Sequence, residues 1–297
     1  FILFNIIKKI FNSSNAAAIF CILIFILILS LKTISNFIEP QIFNKLYDVL
    51  NENFGTRTPR PLVTGVFYFS FIYYMMFLDE KINNKLNYSY ILKIAFFLGL
   101  LANSFIFLFI HSFIFFLIFV VKILNQKLIK LIKLNIKIVC YFIFTLSFFL
   151  LPLIIQILYG EVDYSSRLGL VTIGSEKKFF LIKYYLINLL RVEFLILFIL
   201  TLYLNWFLNK KKNINLHTNK INIFFILVVT SIVSPLLFFI ISPKIISIFH
   251  FLNIILFSFI FYIILSFFSI FYFSLKKLNL KKKYSISTIY AILTIIY

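Results

Sequence analysis

Apolar residues occur in long runs along this chain, and short polar segments separate the runs. A run of about 20 apolar residues is long enough to cross the roughly 30 Å hydrocarbon core of a bilayer as a helix. An open sheet is excluded in lipid, since its edge amides would have no hydrogen-bond partner. The pattern predicts an all-α fold, a polytopic transmembrane helix bundle that forms one domain over residues 1–297, with no soluble domain. The eight predicted helices are Ala16–Ser35, Leu62–Leu78, Ile91–Val121, Ile138–Tyr159, Phe179–Leu208, Ile221–Ile241, Ile245–Leu275 and Tyr284–Tyr297.

The pattern of apolar runs does not fix the structure of two segments. Ile91–Val121 is long for one span, so it is either one tilted helix or two short helices that break near Asn103 and Ser104, which would make nine helices. The polar loop 36–61 carries apolar residues at helical spacing in Ile42–Leu50, which indicates an interfacial helix. We expect this loop to be ordered and to lie at the lipid headgroups.

The charge balance is strongly basic, with 29 Lys and Arg against 9 Asp and Glu and a net charge of +20. In a soluble protein this excess would indicate a nucleic-acid partner. Here the basic residues lie mostly in the polar segments between apolar runs, as topology signals and anchors to anionic lipid do. We therefore expect membrane lipids, including anionic lipid, and no nucleic acid as partners.

The lysine-rich segment 122–137 is predicted to be a loop that faces the headgroups. With eight helices counted, this loop falls on the side opposite the N-terminus, and that side becomes the more basic one. The positive-inside rule then places the N-terminus outside.

Composition also indicates a genetic origin. Phe numbers 43, whereas Gly and Pro number 6 each. Phe, Ile, Lys, Asn and Tyr have AT-rich codons, so the usage indicates an AT-rich genome. Together with the 63% hydrophobic content, it favours an organelle-encoded membrane protein.

Metal and cofactor chemistry has little support in the residue pattern. Cys21 and Cys140 lie in different apolar runs and have no metal-binding spacing. His111 lies in a Phe-rich run without a second His placed to share a metal, so we expect it to be packed and hydrogen-bonded. We expect no cofactor and no metal.

The run Phe179–Leu208 carries more ionisable residues than most other runs. Lys183 lies near its start, and Arg191 and Glu193 lie near its middle. A charged group inside a membrane costs about 2.5–3.5 kcal/mol on insertion scales, so it persists where it faces a partner helix or a wet cavity. On one continuous helix Arg191 lies about 12 Å deeper than Lys183, and Glu193 is turned about 200° from Arg191.

These three charges are candidate proton-path residues. Lys183 suits proton transfer because desolvation brings a lysine pKa toward neutrality, whereas Arg191 would act as a fixed charge. Glu193 needs a partner from another helix or another subunit. The alternative for Lys183 is that its side chain snorkels to the interface.

A second constellation combines two prolines with a lysine. Ser234 and Pro235 lie inside an apolar run, and Pro243 and Lys244 follow at its end. Broken helices that free backbone carbonyls beside a lysine are used in ion pathways, so Lys244 is the fourth candidate proton-path residue. The alternative is an ordinary hairpin with Lys244 at a headgroup.

The two constellations occur in a recognisable order. Glu176 precedes the motif Lys183-Tyr184-Tyr185-Leu186 and a long apolar run, and Ser234-Pro235-Leu236 and Pro243-Lys244 follow. Over Glu176–Leu256 this order resembles the antiporter-like subunit 2 of respiratory complex I, the NADH:ubiquinone oxidoreductase. The Pro-Phe-His-x-Trp segment that this family carries between the two motifs is absent here. The family has about fourteen helices, so we expect a partial or split form of the divergent ciliate type.

The resemblance implies proton translocation in the membrane arm of complex I, coupled to quinone reduction elsewhere, with other subunits as partners and no redox centre in this chain. Lys183 and Lys244 would then be channel lysines. Two alternatives remain open. One is a structural, lineage-specific subunit of a respiratory complex. The other is ATP synthase subunit a, in which Arg191 would face the rotor, although Glu193 beside it would weaken that role.

Overall fold

The computed structural model describes residues 1–37, 60–81, 88–159, 171–172, 175–210, 215–241, 244–245 and 248–277. In this part of the chain nine helices and one short pair of strands form. The elements are α1 (Ile2–Phe11), α2 (Ser14–Phe37), α3 (Arg60–Lys81), α4 (Tyr88–Ser104), α5 (Ile106–Tyr159), β1 (Val171–Thr172), α6 (Ser175–Leu189), α7 (Val192–Lys210), α8 (Asn215–Ile241), β2 (Lys244–Ile245) and α9 (Ile248–Lys277).

Three of the described helices contain spans that are long and apolar enough to cross a membrane. These spans are Val192–Lys210 in α7, Lys220–Phe239 in α8 and His250–Ser274 in α9. The structure therefore supports the predicted helical, membrane-type fold. The predicted helix Tyr284–Tyr297 and most of the loop 36–61, including its interfacial helix, lie outside the described residues.

α9 is the central helix of the bundle. Buried residues make up 67% of its apolar span, against 22% of the span in α7, which lies at the edge. Aromatic rings of α9 contact four other helices edge to face or tilted. The contacts are Phe268 with Phe11 of α1 and Phe20 of α2, Phe257 with Tyr68 of α3, and Phe261 with Phe224 of α8. Such ring pairs contribute about 0.5–1.5 kcal/mol each beyond the area they bury.

α1 is an element that the pattern of long apolar runs did not predict. It buries Ile6, Ile7, Ile10 and Phe11 and leaves Lys8 exposed, so one apolar face of a short helix packs against the bundle. Its neighbours are α2, α3 and α8, together with rings of α9. A left-handed residue ends α1, with Asn12 at φ 50°. The Ser13 hydroxyl then accepts the Ala16 N–H and caps α2.

Of the two alternatives for Ile91–Val121, the structure shows two helices, since α4 ends at Ser104 and α5 begins after Phe105. The Asn103 side-chain amide donates to the carbonyls of Gly99 and Phe149, which fixes this end of α4 to the last part of α5. An Asn that bonds backbone carbonyls competes with the helical ladder, so the side chain both ends α4 and holds the junction.

The chain reverses direction at this break. The ring pairs between α3 and α4 are Phe77 with Tyr90 and Tyr74 with Phe97, and the pairs between α3 and α5 are Tyr68 with His111 and Phe71 with Phe115. Along the first two pairs α4 runs opposite to α3, and along the last two α5 runs in the same direction as α3. α4 and the start of α5 therefore form a hairpin.

α5 corrects the prediction that residues 122–137 form a loop. Its backbone is helical over Ile106–Tyr159. It is not straight, because the rings of Phe116 and Phe142 stack with centroids 4.7 Å apart, whereas 26 residues of straight helix would span about 39 Å. The lysine-rich segment is thus the helical bend between two antiparallel arms, Ile106–Phe119 and Val139–Ile155.

The two reversals define the ends of the bundle. At one end, which we call the basic end, the Lys220 ammonium donates to the Lys9 carbonyl and the Lys9 ammonium lies over Phe77. At the other end, the sheet end, β1 and β2 pair antiparallel and Phe105 packs on His250. The bend of α5 lies at the basic end, the same end as α1. The lysine-rich segment therefore shares the end of the N-terminal helix, whereas the count of eight helices placed the two on opposite sides.

The predicted single helix Phe179–Leu208 is wrong, because the chain breaks between α6 and α7. The Leu190 N–H is shared between the carbonyls of Leu186 and Ile187, and the Arg191 N–H donates to Asn188, so the last turn tightens. The Asn188 side chain bonds the carbonyl of its own preceding turn at Tyr184, which favours this departure from the helix.

Gly99 provides a test of the α4–α5 junction. A Cβ added at Gly99 would overlap the Cβ of Phe149, so Gly99→Ala is expected to lower the free energy of unfolding by about 1–3 kcal/mol. The measurement is denaturant unfolding of the purified chain in detergent. Gly65→Ala in α3 is the control, since a Gly-to-Ala change in a helix without a clash stabilises by up to about 1 kcal/mol. A Gly99→Ala protein as stable as the Gly65→Ala protein would contradict the packing described here.

Candidate functional site

The four predicted proton-path residues lie towards the sheet end, and most are more exposed than predicted. Lys183 is exposed on α6. Two residues later Tyr185 is fully buried, and its hydroxyl donates to the Ile232 carbonyl of α8 at 2.8 Å. α6 therefore anchors to α8 through its tyrosine and presents its lysine on an outer face.

Arg191 is not deep inside a helix. It is exposed in the break between α6 and α7, and its carbonyl accepts the Leu195 N–H that begins α7. α7 runs in the same direction as α9, since Phe198 contacts Phe259 and Asn205 contacts Tyr262. Arg191 precedes Phe198 by about 10 Å along the axis, which places it beside the first turns of α9.

Glu193 and Lys244 have defined backbone positions. Glu193 is partly exposed in the first turn of α7, where the N-terminal end of the helix dipole favours a carboxylate. Lys244 lies in β2 and pairs with Thr172, three residues before α6 begins. In the described ranges no salt bridge joins Lys183, Arg191 or Glu193 to another charge. The structure thus gathers the four residues in one region without bringing them into one charged cluster.

Pro235 interrupts the backbone hydrogen bonds inside α8. Pro235 has no N–H, so the Ser231 carbonyl loses its helical donor. The Ser234 hydroxyl lies 3.5 Å from that carbonyl, and Tyr185 reaches the next one at Ile232. The Tyr185 hydroxyl therefore bonds α8 two residues before Ser234, in the turn that precedes Pro235.

A line of buried polar side chains runs through the aromatic core. It begins in the core, where Nε2 of His111 and the Tyr68 hydroxyl share a hydrogen bond of 3.1 Å and both side chains are buried. The Tyr68 ring packs on Phe257 of α9, the residue before Ser258. Ser258 itself donates to the Ile254 carbonyl at 2.8 Å. The Tyr68–His111 bond of α3 and α5 therefore lies against the turn of α9 that carries Ser258.

The line continues along α9 and α7. Tyr262 lies one turn after Ser258 on the same face, and its hydroxyl donates to Oδ1 of Asn205 at 3.3 Å. The Asn209 amide donates to the same oxygen at 3.4 Å, and the Asn222 amide donates to Oδ1 of Asn209 at 3.5 Å. We call this series the polar column; its members are His111, Tyr68, Ser258, Tyr262, Asn205, Asn209 and Asn222.

The polar column leads from the core to the basic end. His111 is fully buried, whereas Asn209 is exposed and Asn222 lies two residues from Lys220. Ser258 and Tyr262 lie one helical turn apart, about 5.4 Å along the axis, so the Tyr68–His111 bond and the series from Tyr262 to Asn222 follow each other along α9.

Several buried polar atoms beside the column have no hydrogen-bond partner among the described residues. They are Nδ1 of His111 and the hydroxyl oxygens of Ser112, Thr201, Ser266 and Ser269. An unsatisfied buried polar group costs about 1–3 kcal/mol, so such atoms are rare in packed cores without a reason. Serine in a membrane-type helix usually bonds its own preceding turn, as Ser258 does. Ser269 does not, and it lies on the same α9 face as the column.

The prediction that His111 is packed and hydrogen-bonded is confirmed. The column as a whole escaped the sequence analysis, because its members are single Ser, Tyr and Asn residues on separate helices. One signal was present in α9. Ser258, Tyr262, Ser266 and Ser269 recur at intervals of four, four and three residues in an otherwise apolar run, which puts one polar stripe on one helical face.

The Tyr68–His111 bond is tested by a double-mutant cycle. Tyr68→Phe leaves Nε2 of His111 buried without a partner and is expected to lower the free energy of unfolding by about 1–3 kcal/mol. His111→Phe removes both ring nitrogens, so Tyr68→Phe should cost clearly less in that background. Denaturant unfolding of all four proteins in detergent gives the coupling. Equal costs in both backgrounds would contradict a direct bond.

The polar column has the chemistry of a proton path more than that of a cofactor site. Hydroxyl and imidazole groups donate and accept hydrogen bonds at once, as a proton relay requires. No group of three His, Cys, Asp or Glu residues suited to a metal ion occurs within the described ranges. Comparison of the chain with protein-family models, curated proteins and solved structures found no match.

Proposed function

We propose that this chain is an inner-membrane subunit of a mitochondrial respiratory complex and takes part in proton translocation in the membrane arm of complex I. The observation that carries the proposal is the polar column, in which the Tyr68–His111 hydrogen bond and the hydrogen-bonded series of Tyr262, Asn205, Asn209 and Asn222 follow each other from the buried core to the basic end. Polar groups inside a membrane-type bundle are expensive, and they most often mark ion or proton paths.

The choice of complex I in this proposal rests on the resemblance to the antiporter-like subunit 2. One of the segments that carry this resemblance, Lys183–Leu186, bonds α8 at the Ile232 carbonyl, two residues before the other segment begins at Ser234. β1 and β2 hold the backbone of Lys244 close to the start of α6. This arrangement supports a proton entrance at the sheet end, with Lys183 and Lys244 as titrating groups, and a path toward the basic end through the column.

In this proposal Arg191 and Glu193 influence the entrance without carrying protons through the core. Arg191 stays charged and lies near the first turns of α9, where its field raises the cost of a second positive charge. Glu193, in the first turn of α7, offsets that field. Quinone reduction takes place in other subunits, so this chain contributes protein side chains and no redox centre.

A second candidate is a structural subunit of a respiratory complex. The observation that favours it is the exposure of Lys183 and Arg191 together with the apolar outer face of α7, where Ile196, Ile199 and Tyr203 are exposed. Such a face packs equally well against lipid or another subunit. ATP synthase subunit a has less support, since it needs an arginine within a long helix, and Arg191 lies in a helix break.

The partners of the chain are the first test. The native membrane complex is purified in mild detergent, and the polypeptides that travel with this chain are identified by mass spectrometry. We expect NADH dehydrogenase subunits to co-purify with the chain. A ring of c subunits would replace the proposal with ATP synthase, and oxidase subunits alone would favour the structural role.

Tyr262→Phe tests the polar column itself. The change removes the hydroxyl that bonds Asn205 at the buried end of the series, so proton transfer through the column should slow about tenfold or more, equivalent to at least 1.4 kcal/mol in the barrier. The measurement is NADH-driven acidification in proteoliposomes that contain the reconstituted complex, with NADH oxidation followed in parallel.

Tyr203→Phe is the matched control, because Tyr203 is exposed on α7 and lies outside the column. It should pump at the rate of the unmodified complex. If the Tyr262→Phe complex assembles normally and pumps at the wild-type rate, the polar column is not part of the proton path.

Lys244→Met tests the proposed entrance. Loss of the titratable ammonium is expected to reduce the number of protons moved per NADH oxidised while NADH oxidation continues. Lys244→Arg keeps the positive charge but cannot release a proton at physiological pH, so it should fail in the same way. Unchanged pumping by the Lys244→Met complex would eliminate this role for Lys244.

A further inference from the structure

We propose that a segment at the sheet end moves as one hinged arm and that the Tyr185 hydroxyl is the latch that holds this arm against α8. We call the segment the sheet-end arm; its members are α6, β1, β2 and residues 235–241 of α8. The movement itself does not depend on the proposed function, whereas its consequence for protons rests on that function.

The members of the sheet-end arm are joined into a closed series. β2 begins three residues after the end of α8, and it pairs with β1, with Lys244 opposite Thr172. β1 ends three residues before α6 begins. From α6 the Tyr185 ring returns to Phe239 of α8, edge to face with the centroids 6.1 Å apart. Backbone, strand pairing and a ring contact thus connect the members, so they move together.

Both ends of the arm join the bundle where the helical hydrogen bonds are interrupted. In α8, Pro235 has no N–H for the Ser231 carbonyl, and the Ser234 hydroxyl lies 3.5 Å from that carbonyl, which is long for a hydrogen bond. Proline is one of the few causes of a sharp bend in a helix. At the other end, α6 stops at Leu189 and α7 begins at Val192. Hinges lie at such element ends and interruptions, where the backbone can change its angles.

Few buried contacts hold the arm in place. Among the α6 side chains that the structure describes, Tyr185 and Asn188 are the buried ones, and the Asn188 amide bonds the preceding turn of its own helix. In α8, Phe239 packs edge to face on Phe251 of α9 at 6.1 Å, an apolar contact without a preferred direction. Segments with few buried contacts open at a low cost in free energy.

The Tyr185 side chain spans the hinge in α8. Its ring packs on Phe239, which lies after Pro235, and its hydroxyl donates to the Ile232 carbonyl, which lies before Pro235, at 2.8 Å. A hydrogen bond is directional, so it fixes the angle between the two parts of α8 more strictly than the ring contact does. Loss of this bond would release the arm while the ring contact inside the arm remains.

Both lysines of the proposed proton entrance belong to the sheet-end arm. Lys183 is exposed on α6, and Lys244 lies in β2. A movement about the hinges carries the two residues together relative to α7 and α9. Under the proposed function, the latch therefore opens and closes the entrance in a single step.

The experiment measures the position of the arm by double electron–electron resonance on the full-length chain in nanodiscs. Cys21 and Cys140 are replaced by alanine, and spin labels are attached to cysteines at the exposed positions Ile187 of α6 and Phe271 of α9. We expect one main distance and a minor second distance. Tyr185→Phe keeps the ring and removes the latch, so it should raise the ratio of the second distance to the main one about tenfold.

Tyr184→Phe is the matched control, because it removes a hydroxyl from the adjacent, exposed residue of the same helix. Its distances should equal those of the unmodified chain. A second pair of labels, at Ile199 of α7 and Phe271 of α9, lies outside the arm on two exposed positions. This pair should give one distance in every variant.

Pro235→Ala tests the hinge. It supplies an N–H for the Ser231 carbonyl, so the second distance should disappear, also in combination with Tyr185→Phe. An unchanged distance distribution in Tyr185→Phe would overturn the latch, and a second distance that persists in Pro235→Ala would overturn the hinge. A second distance in the Ile199 and Phe271 pair would show general loosening of the bundle in place of a hinged arm. These distances need neither NADH nor proton flow, so they are independent of the outcome for the proposed function.

Discussion

The packing of α9 against the surrounding helices is the constraint on which the rest of the bundle depends. In a lipid environment water does not drive apolar helices together, so van der Waals contact between close-fitting side chains must do so. Rings at Phe257, Phe261 and Phe268 touch helices from four directions. The same helix carries Ser258 and Tyr262 between those rings, so the polar column is held in register by the aromatic packing around it.

The sequence was sufficient for the class of fold and for most helices, because a run of apolar residues in a chain of this composition has few alternatives. It also located the break at Asn103 and Ser104. It failed where short-range hydrogen bonding overrides hydropathy. The Asn188 side chain ends α6 inside an apolar run, and the amphipathic α1 is too short to register as a run. The bend of α5 depends on a contact between Phe116 and Phe142, which no local pattern contains.

The sequence analysis chose the predicted site residues by their charge. The charge of a residue does not tell how deeply its side chain is buried. Lys183 and Arg191 looked buried only because a single helix was assumed through Leu190. The break moves Arg191 to the first turns of α9 and leaves Lys183 on an outer face. The polar column depends on neutral side chains that meet across helices, such as Tyr262 and Asn205, so it becomes visible only when the helices are placed.

The hairpin of α4 and the start of α5 has a consequence for biosynthesis. α4 has 17 residues, which is about 25 Å of helix and shorter than the hydrocarbon core. The first arm of α5 follows after one residue, and the turn at Phe105 carries no charge to hold it in water. The two must leave the insertion machinery as a pair, and the turn is completed only when Phe149, more than forty residues later in synthesis, arrives to accept the Asn103 amide.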